Sequence, residues 1–304
     1  MMDFARLLES LPPELPPVAL LLEPPTACGL RAARSRGGIS ILSKAEQPFA
    51  PISENLELES ASLEALATKL LAPLGQPQRA SIILGDSLVR MQVLSLSDFP
   101  SKEEERQQVL KWHVKKVLNW EPGDLRIRYH VFERSGQTAT LWLTMGSENL
   151  IRALEGAFAK QGCHIGYIGG VTPELYGLAS RKEALPNDGA ALLINRTPGA
   201  VSFLFTERGL PQFFRCKELW DSDGDDAEMV AQEIRLTLAY QRERLGGAPL
   251  RVAFTRCSPP SLALPLEGAV GDNTEVVALR ERLPSAVEAE RTEMTLPLFG
   301  VLEE

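Results

Sequence analysis

The chain has 304 residues, 44% of them hydrophobic, and a formal net charge of −8. That length buries a full core and accommodates two domains or one domain with an insertion, while the acidic balance argues against sequence-independent nucleic-acid binding, which needs a positive surface. No apolar run approaches the roughly 20 residues of a membrane span, and the early run 18–22 is too short and too closely flanked by prolines for a signal peptide, so the sequence reads as a cytoplasmic protein.

The first 17 residues are rich in proline (Pro12, Pro13, Pro16, Pro17) and carry Phe4, Leu7, Leu8 and Leu11 on one side of a possible short helix over 1–10. They read as a loosely packed arm; the alternative is a segment that docks on another subunit. Strand-like runs follow at 18–22, 28–33 and 39–42, then a helix over 62–71. The same pattern returns late in the chain, with runs at 190–194, 201–206 and 212–215 and a helix over 226–245. Arg36-Gly37-Gly38 and Glu207-Arg208-Gly209 supply matching hairpin turns. Each copy is a three-stranded meander followed by a helix.

Between the copies, residues 80–132 read strand, strand, helix, strand. Residues 81–84 are apolar up to Gly85-Asp86. Val89, Met91 and Val93 then alternate with Arg90 and Gln92. Ser101 to Glu104 has the form of a capping box, and Leu110, Val114, Val117 and Leu118 follow at helical spacing. Ile127, Tyr129 and Val131 alternate again, as do Leu141, Leu143 and Met145 after a turn at Ser135-Gly136. A helix over 148–161 is expected with Ser147 as cap and Gly162 as stop. The glycine-rich stretch 166–170 lacks a following Lys-Ser/Thr, so it is no P-loop; it reads as a crossing back to the main body before a helix over 173–180.

Metal and nucleophile signals are weak. The four cysteines, Cys28, Cys163, Cys216 and Cys257, form no CxxC pair and have no histidine at metal spacing, so no metal is expected and they read as free and buried. His113, His130 and His164 have no nucleophile partner in view. The acidic run 221–226 departs from a calcium loop: its sixth position is Asp226 and its twelfth Gln232, where glycine and glutamate belong. It reads as a solvated turn whose charges favour a helix start. Arg106, Lys111, Lys115 and Lys116 read as a solvated helix face.

The middle block resembles the small inserted subdomain of PilM-type proteins, the actin-like components of type IV pilus platforms. Leu84-Gly85-Asp86-Ser87, the connector 94–100, the acidic cap 103–105, a helix ending before Trp120-Glu121-Pro122 and the strand 125–132 carry the likeness. It implies an α/β, actin-like fold of duplicated ribonuclease-H-like units: an arm 1–17, a first lobe from 18–79, an inserted subdomain 80–170, and a second lobe with closing segment 171–304. In that family two hairpins clasp nucleotide phosphates and a metal. Here the first reads Glu23-Pro24-Pro25, and proline offers no amide hydrogen and a locked φ. In the second, Asn195 stands where the family places a metal-orienting aspartate, with Thr197 and Gly199 retained and Arg196 read as a surface turn residue. The glycine cluster expected after the strand 250–254 is replaced by the stretch containing Cys257. ATP and magnesium are therefore not expected, and no catalytic residue is assigned.

The resemblance implies a non-catalytic scaffold. It would bind the cytoplasmic tail of a PilN-type single-span membrane protein, beside other pilus platform components, and reach the membrane only through that partner. The groove would be bordered by the helix 103–118 and the insert strands, with Val89, Met91, Leu110 and Val114 as candidate lining, although each reads equally as plain core. The alternatives are a divergent actin-like ATPase or sugar-kinase-like enzyme, in which Glu23, Asn195 and Thr197 would have to carry metal and phosphate, and an unrelated α/β binding module.

Overall fold

A computed structural model describes residues 15–35, 38–50, 60–117, 124–135, 138–219, 226–244, 248–262, 266, 270, 273–283 and 291–303. The expected arm helix over 1–10, most of the acidic run 221–226, the turns at Arg36-Gly37 and Gly136, and Trp120-Glu121-Pro122 lie outside the described residues.

In chain order the elements are β1 (Val18–Glu23), β2 (Thr26–Ser35), β3 (Gly38–Pro48), α1 (Ser60–Leu71), β4 (Arg79–Leu84), β5 (Val89–Leu96), α2 (Glu103–Val117), β6 (Leu125–Ser135), β7 (Thr138–Ser147), α3 (Glu148–Lys160), β8 (His164–Gly170), α4 (Val171–Arg181), β9 (Ala190–Thr197), β10 (Ala200–Glu207), β11 (Leu210–Glu218), α5 (Asp226–Arg244), β12 (Leu250–Cys257), β13 (Glu275–Ala278) and α6 (Leu296–Leu302). They build two five-stranded sheets with matching orders, β3-β2-β1-β4-β8 and β11-β10-β9-β12-β13, and a three-stranded sheet β5-β7-β6. In both large sheets an antiparallel meander is followed by parallel strands on the far side of its first strand. The duplication expected from pattern is present as topology, and the fold is actin-like.

Local chemistry accounts for the elements. β1 is buried along its whole length, as a central strand covered on both faces must be, so it reads as an unbroken apolar run. The β10–β11 turn places Arg208 (φ 50°) and Gly209 (φ 75°) in the left-handed region, the twist that a two-residue hairpin needs. Helix α3 starts as expected, with the Leu150 amide donating to Ser147 Oγ at 3.4 Å. It ends in a Schellman motif: Gly162 has φ 76°, its amide donates to Ala159 O, and the Cys163 amide donates to Phe158 O. Helix α2 starts one residue later than a cap at Ser101 predicts. Arg106 instead donates to the Pro100 and Ser101 carbonyls, both at 2.8 Å. On α5 the stripe Val230, Ile234, Leu238 and Gln241 is buried, whereas Leu236 is exposed.

Two expected domain boundaries are corrected. β4 pairs in parallel with β1, and β8 with β4, so residues 80–84 and 164–170 belong to the first lobe. Helix α3 packs against α1 and β8, which leaves the insert as β5, α2, β6 and β7. At the other end, α6 packs on α4, β1 and β2, so the closing segment returns to the first lobe. Gly300 permits that approach: a Cβ there would lie 2.6 Å from the Glu174 carbonyl oxygen. The lobes also share one core, since Leu193, Leu204, Phe214, Val252 and Phe254 of the second sheet join the buried cluster of the first. Helix α5 covers the second sheet's other face through Val230, Ile234 and Leu238.

Candidate functional site

The carboxyl ends of β1, β4, β8, β9 and β12 bring five polar side chains into one buried junction between the lobes: Glu23, Asp86, Thr172, Asn195 and Arg256, none more than 5% exposed. Such a crevice outside the ends of parallel strands is where open α/β sheets place ligands. Here the protein's own side chains meet in it. Arg256 is fully buried and pairs in parallel with both Glu23 oxygens, Nη1–Oε1 3.0 Å and Nη2–Oε2 2.7 Å. It also donates to Asn195 Oδ1 at 2.7 Å and to the Glu293 carbonyl at 2.6 Å.

Asn195 passes the connection on, its Nδ2 donating to Asp86 Oδ2 at 2.9 Å. Asp86 then caps α4, accepting from the Thr172 amide at 3.0 Å and the Thr172 hydroxyl at 2.5 Å. The cap residue Gly170 has no side chain to do this, and a carboxylate suits the positive end of a helix. Burial disfavours the Arg256 charge, but the charge and hydrogen bonds of Glu23, with Asp86 and Glu293 behind it, raise its pKa above the ordinary arginine value. The same burial, with Glu23 nearby, pushes the Cys28 thiol up to about 12.

The hairpins beside the junction are closed by protein groups. Glu23 pairs directly with Thr26 across the Pro24-Pro25 turn, and the Pro25 carbonyl accepts from the Phe49 amide at 2.8 Å. Thr197 Oγ1 donates to the Ala200 carbonyl at 3.4 Å, and the Gly199 carbonyl accepts from the Leu219 amide at 2.9 Å. Cys257 is half-buried with its thiol pKa raised by burial. Arg196 is not a surface turn residue: it lies in β9, is 4% exposed, and donates to the Leu262 carbonyl at 3.0 Å. Among the described residues no group of three His, Cys, Asp or Glu side chains is placed to hold a metal ion.

Glu23 and Asn195, singled out in the sequence, thus come together through Arg256, which was not. Asp86 and Thr172 were missed too. A basic residue near the end of β12 was the available signal for Arg256, although Arg251 in the same strand carries it too. Nothing local marks Thr172.

A second feature is a groove of about 840 Å³ between the first lobe and the insert. One wall is β8 with α4, and the other is β6 with β7. Both β8 and β6 are terminal strands of their sheets. The floor is aromatic: Tyr176 sits 5.6 Å from Phe132 and 6.0 Å from Trp142, centroid to centroid, and its hydroxyl donates to the Gly209 carbonyl at 2.9 Å.

On the insert side Arg126 grips Glu148 at 2.9 and 3.0 Å and Glu155 at 2.5 Å, tying β6 to α3. Its hydrogen bonds, with those of Arg152, hold the Glu148 carboxyl down at about 2. Arg128, two residues along, is exposed.

Of the four expected lining residues only Val89 borders the groove. Met91 is buried against Gly170, its Sδ 3.3 Å from where a Cβ would sit. Leu110 and Val114 are fully enclosed in the insert core with Leu94, Leu141, Leu143 and Met145, so they offer no surface to a ligand: the face of α2 that the sequence marks as apolar is spent on its own sheet.

No protein-family model matches the chain, and no curated protein matches it by sequence. Solved structures do. A chain of a PilM–PilN type IV pilus biogenesis complex superposes with a TM-score of 0.73 at 15% identity, covering 95% of this chain and 97% of that one. A Bacteroides thetaiotaomicron protein with an actin-like ATPase fold and unknown function gives 0.54 at 11%, over 99% and 98%. The cytoplasmic domain of EpsL, an inner-membrane component of the Vibrio cholerae type II secretion system, gives 0.51 at 11%, over 93% and 94%. These likenesses establish the actin-like fold.

Proposed function

We propose that the chain is a non-catalytic scaffold of a type IV pilus assembly platform, or of a related secretion platform. In this reading it lies in the cytoplasm at the inner membrane and binds the cytoplasmic tail of a PilN-type single-span protein. The groove carries the proposal. Two sheet edges border one cavity with an aromatic floor, and an extended peptide gains main-chain hydrogen bonds at such an edge and specificity from side-chain pockets. The whole-length likeness to a chain from a PilM–PilN complex supports the choice of partner. Attachment to the membrane then comes through that partner and other platform components; no described helix is long and apolar enough to cross a membrane.

The buried junction supports the non-catalytic half. A magnesium nucleotide asks for free carboxylates and for backbone amides aimed at phosphate. Glu23 is already paired with a guanidinium, Asn195 brings no charge, and Pro24 and Pro25 bring no amide hydrogen. These residues do not fit the group, and no nucleotide step is derived from them. In its place Arg256 spans the lobes as a permanent cation.

The test is an array of the cytoplasmic tails of the single-span inner-membrane proteins of the same genome, probed with the labelled chain. One tail is expected to bind, and to lose its binding when Gly177 in the groove wall is replaced by tryptophan. Binding by no tail, or by one indifferent to that block, removes the proposal.

A further inference from the structure

We propose that the groove also takes the chain's own leading segment, so that residues 4–11 compete intramolecularly with a partner tail. This rests on the groove reading above and adds a second occupant to it. Leu15, the first described residue, already lines the groove and packs on the first-lobe core. Pro16 follows beside β8, its Cγ 3.3 Å from the position of a Cβ on Gly166. Leu15 therefore tethers the leading segment at the groove itself. Eight extended residues span about 27 Å, so reach is not limiting, and Pro12-Pro13 favours the extended form that an edge strand accepts.

The chemistry is complementary. On an extended strand Phe4 and Leu8 fall on one face and offer apolar groups to the aromatic floor, and Asp3, Glu9 and Glu14 outnumber Arg6. The groove is lined by four arginines against two glutamates. Both glutamates are engaged, Glu155 by Arg126 and Glu174 by the Tyr167 hydroxyl at 2.6 Å. Arg128 is exposed and has no hydrogen-bond or ion-pair partner among the described residues, so the charge left over is positive. A short tether supplies an effective concentration of the order of millimolar. An intrinsic dissociation constant of ~10 μM would then leave about one groove in a hundred open and weaken a partner tail by the same factor.

The test uses the full chain and a variant carrying Phe4→Asp, Leu7→Asp and Leu8→Asp, which alters no described residue. The probe is a fluorescein-labelled synthetic peptide of residues 1–14. It should bind the variant at least about tenfold more tightly than the wild type. Amides of the β8 and β6 edges should also exchange several-fold faster in the variant.

Equal peptide affinity with equal exchange overturns the proposal. So does an exchange difference that appears only as protein concentration rises, since the occupant is then a second copy. A partner tail that binds both proteins alike removes self-competition and leaves the partner reading standing. No tail binding, with the exchange difference intact, does the reverse.

Discussion

Arg256 meets Glu23 through two parallel hydrogen bonds of 2.7 and 3.0 Å, across 233 residues of chain and with neither side chain open to solvent. A buried ion pair of this kind is weak evidence for net stability, because desolvating both charges offsets much of their attraction. Losing one partner is another matter. Arg256→Ala should destabilise the fold by about 3–5 kcal/mol by stranding the Glu23 carboxylate. The double variant Glu23→Leu with Arg256→Met should recover most of that loss. Urea unfolding of the wild type and the two variants reads it directly; a double variant no more stable than Arg256→Ala would mean that the two side chains do not act as a pair.

If the junction takes no nucleotide, a melt with saturating Mg-ATP should match a melt without it. A ligand at a hundred times its dissociation constant would stabilise the fold by about 2.7 kcal/mol. Heat in a calorimetric titration, or a clear rise in melting temperature, would put the ATPase reading first and require the Glu23–Arg256 pair to open.

Among the described residues, Arg128 is an exposed groove arginine with no hydrogen-bond or ion-pair partner, so it can meet an incoming acidic group. Arg128→Glu should weaken tail binding by about tenfold and flatten its salt dependence, with the unfolding midpoint unchanged because no described contact is broken. Unchanged affinity would place the tail elsewhere.

The carboxyl of Glu148, with Arg126 and Arg152 donating to it, titrates at about 2, below the unfolded value of about 4.3. A depressed carboxyl pKa means that its contribution is complete above the unfolded value and fades as pH falls from about 4 through 2. Glu148 and Arg126 keep 20% and 32% of their side-chain surface, so screening limits the amount to about 1 kcal/mol. Carboxylate NMR should find a midpoint near 2 in the wild type and one moved up toward the unfolded value in Arg126→Ala. An unmoved midpoint would assign the shift to Arg152.

Burial pushes the Cys28 thiol up to about 12 and the Cys163 thiol up to about 11. Both should therefore resist alkylation at pH 8 in the folded protein, because the thiolate is the nucleophile. Mass spectrometry after brief iodoacetamide treatment should find them unmodified and fully labelled in urea. Rapid native labelling of Cys28 would mean that the first lobe opens.

The sequence by itself determined most of the elements, though not β8 or β13. The periods of β5, β6, β7 and α3, the stop at Gly162 and the turn at Arg208-Gly209 come from side-chain alternation and backbone freedom within a few residues of chain, and those survive in the fold. The repeated meander was legible for the same reason. Periodicity reports which face is buried, but not against what. Only the tertiary structure decided that β4 and β8 join β1, that α6 returns to the first lobe, and that Leu110 and Val114 face their own sheet rather than a groove. The junction was legible only in halves. Glu23 and Asn195 stood out as departures from a family pattern, but the guanidinium that joins them lies 233 and 61 residues away, and no local signal reaches that far.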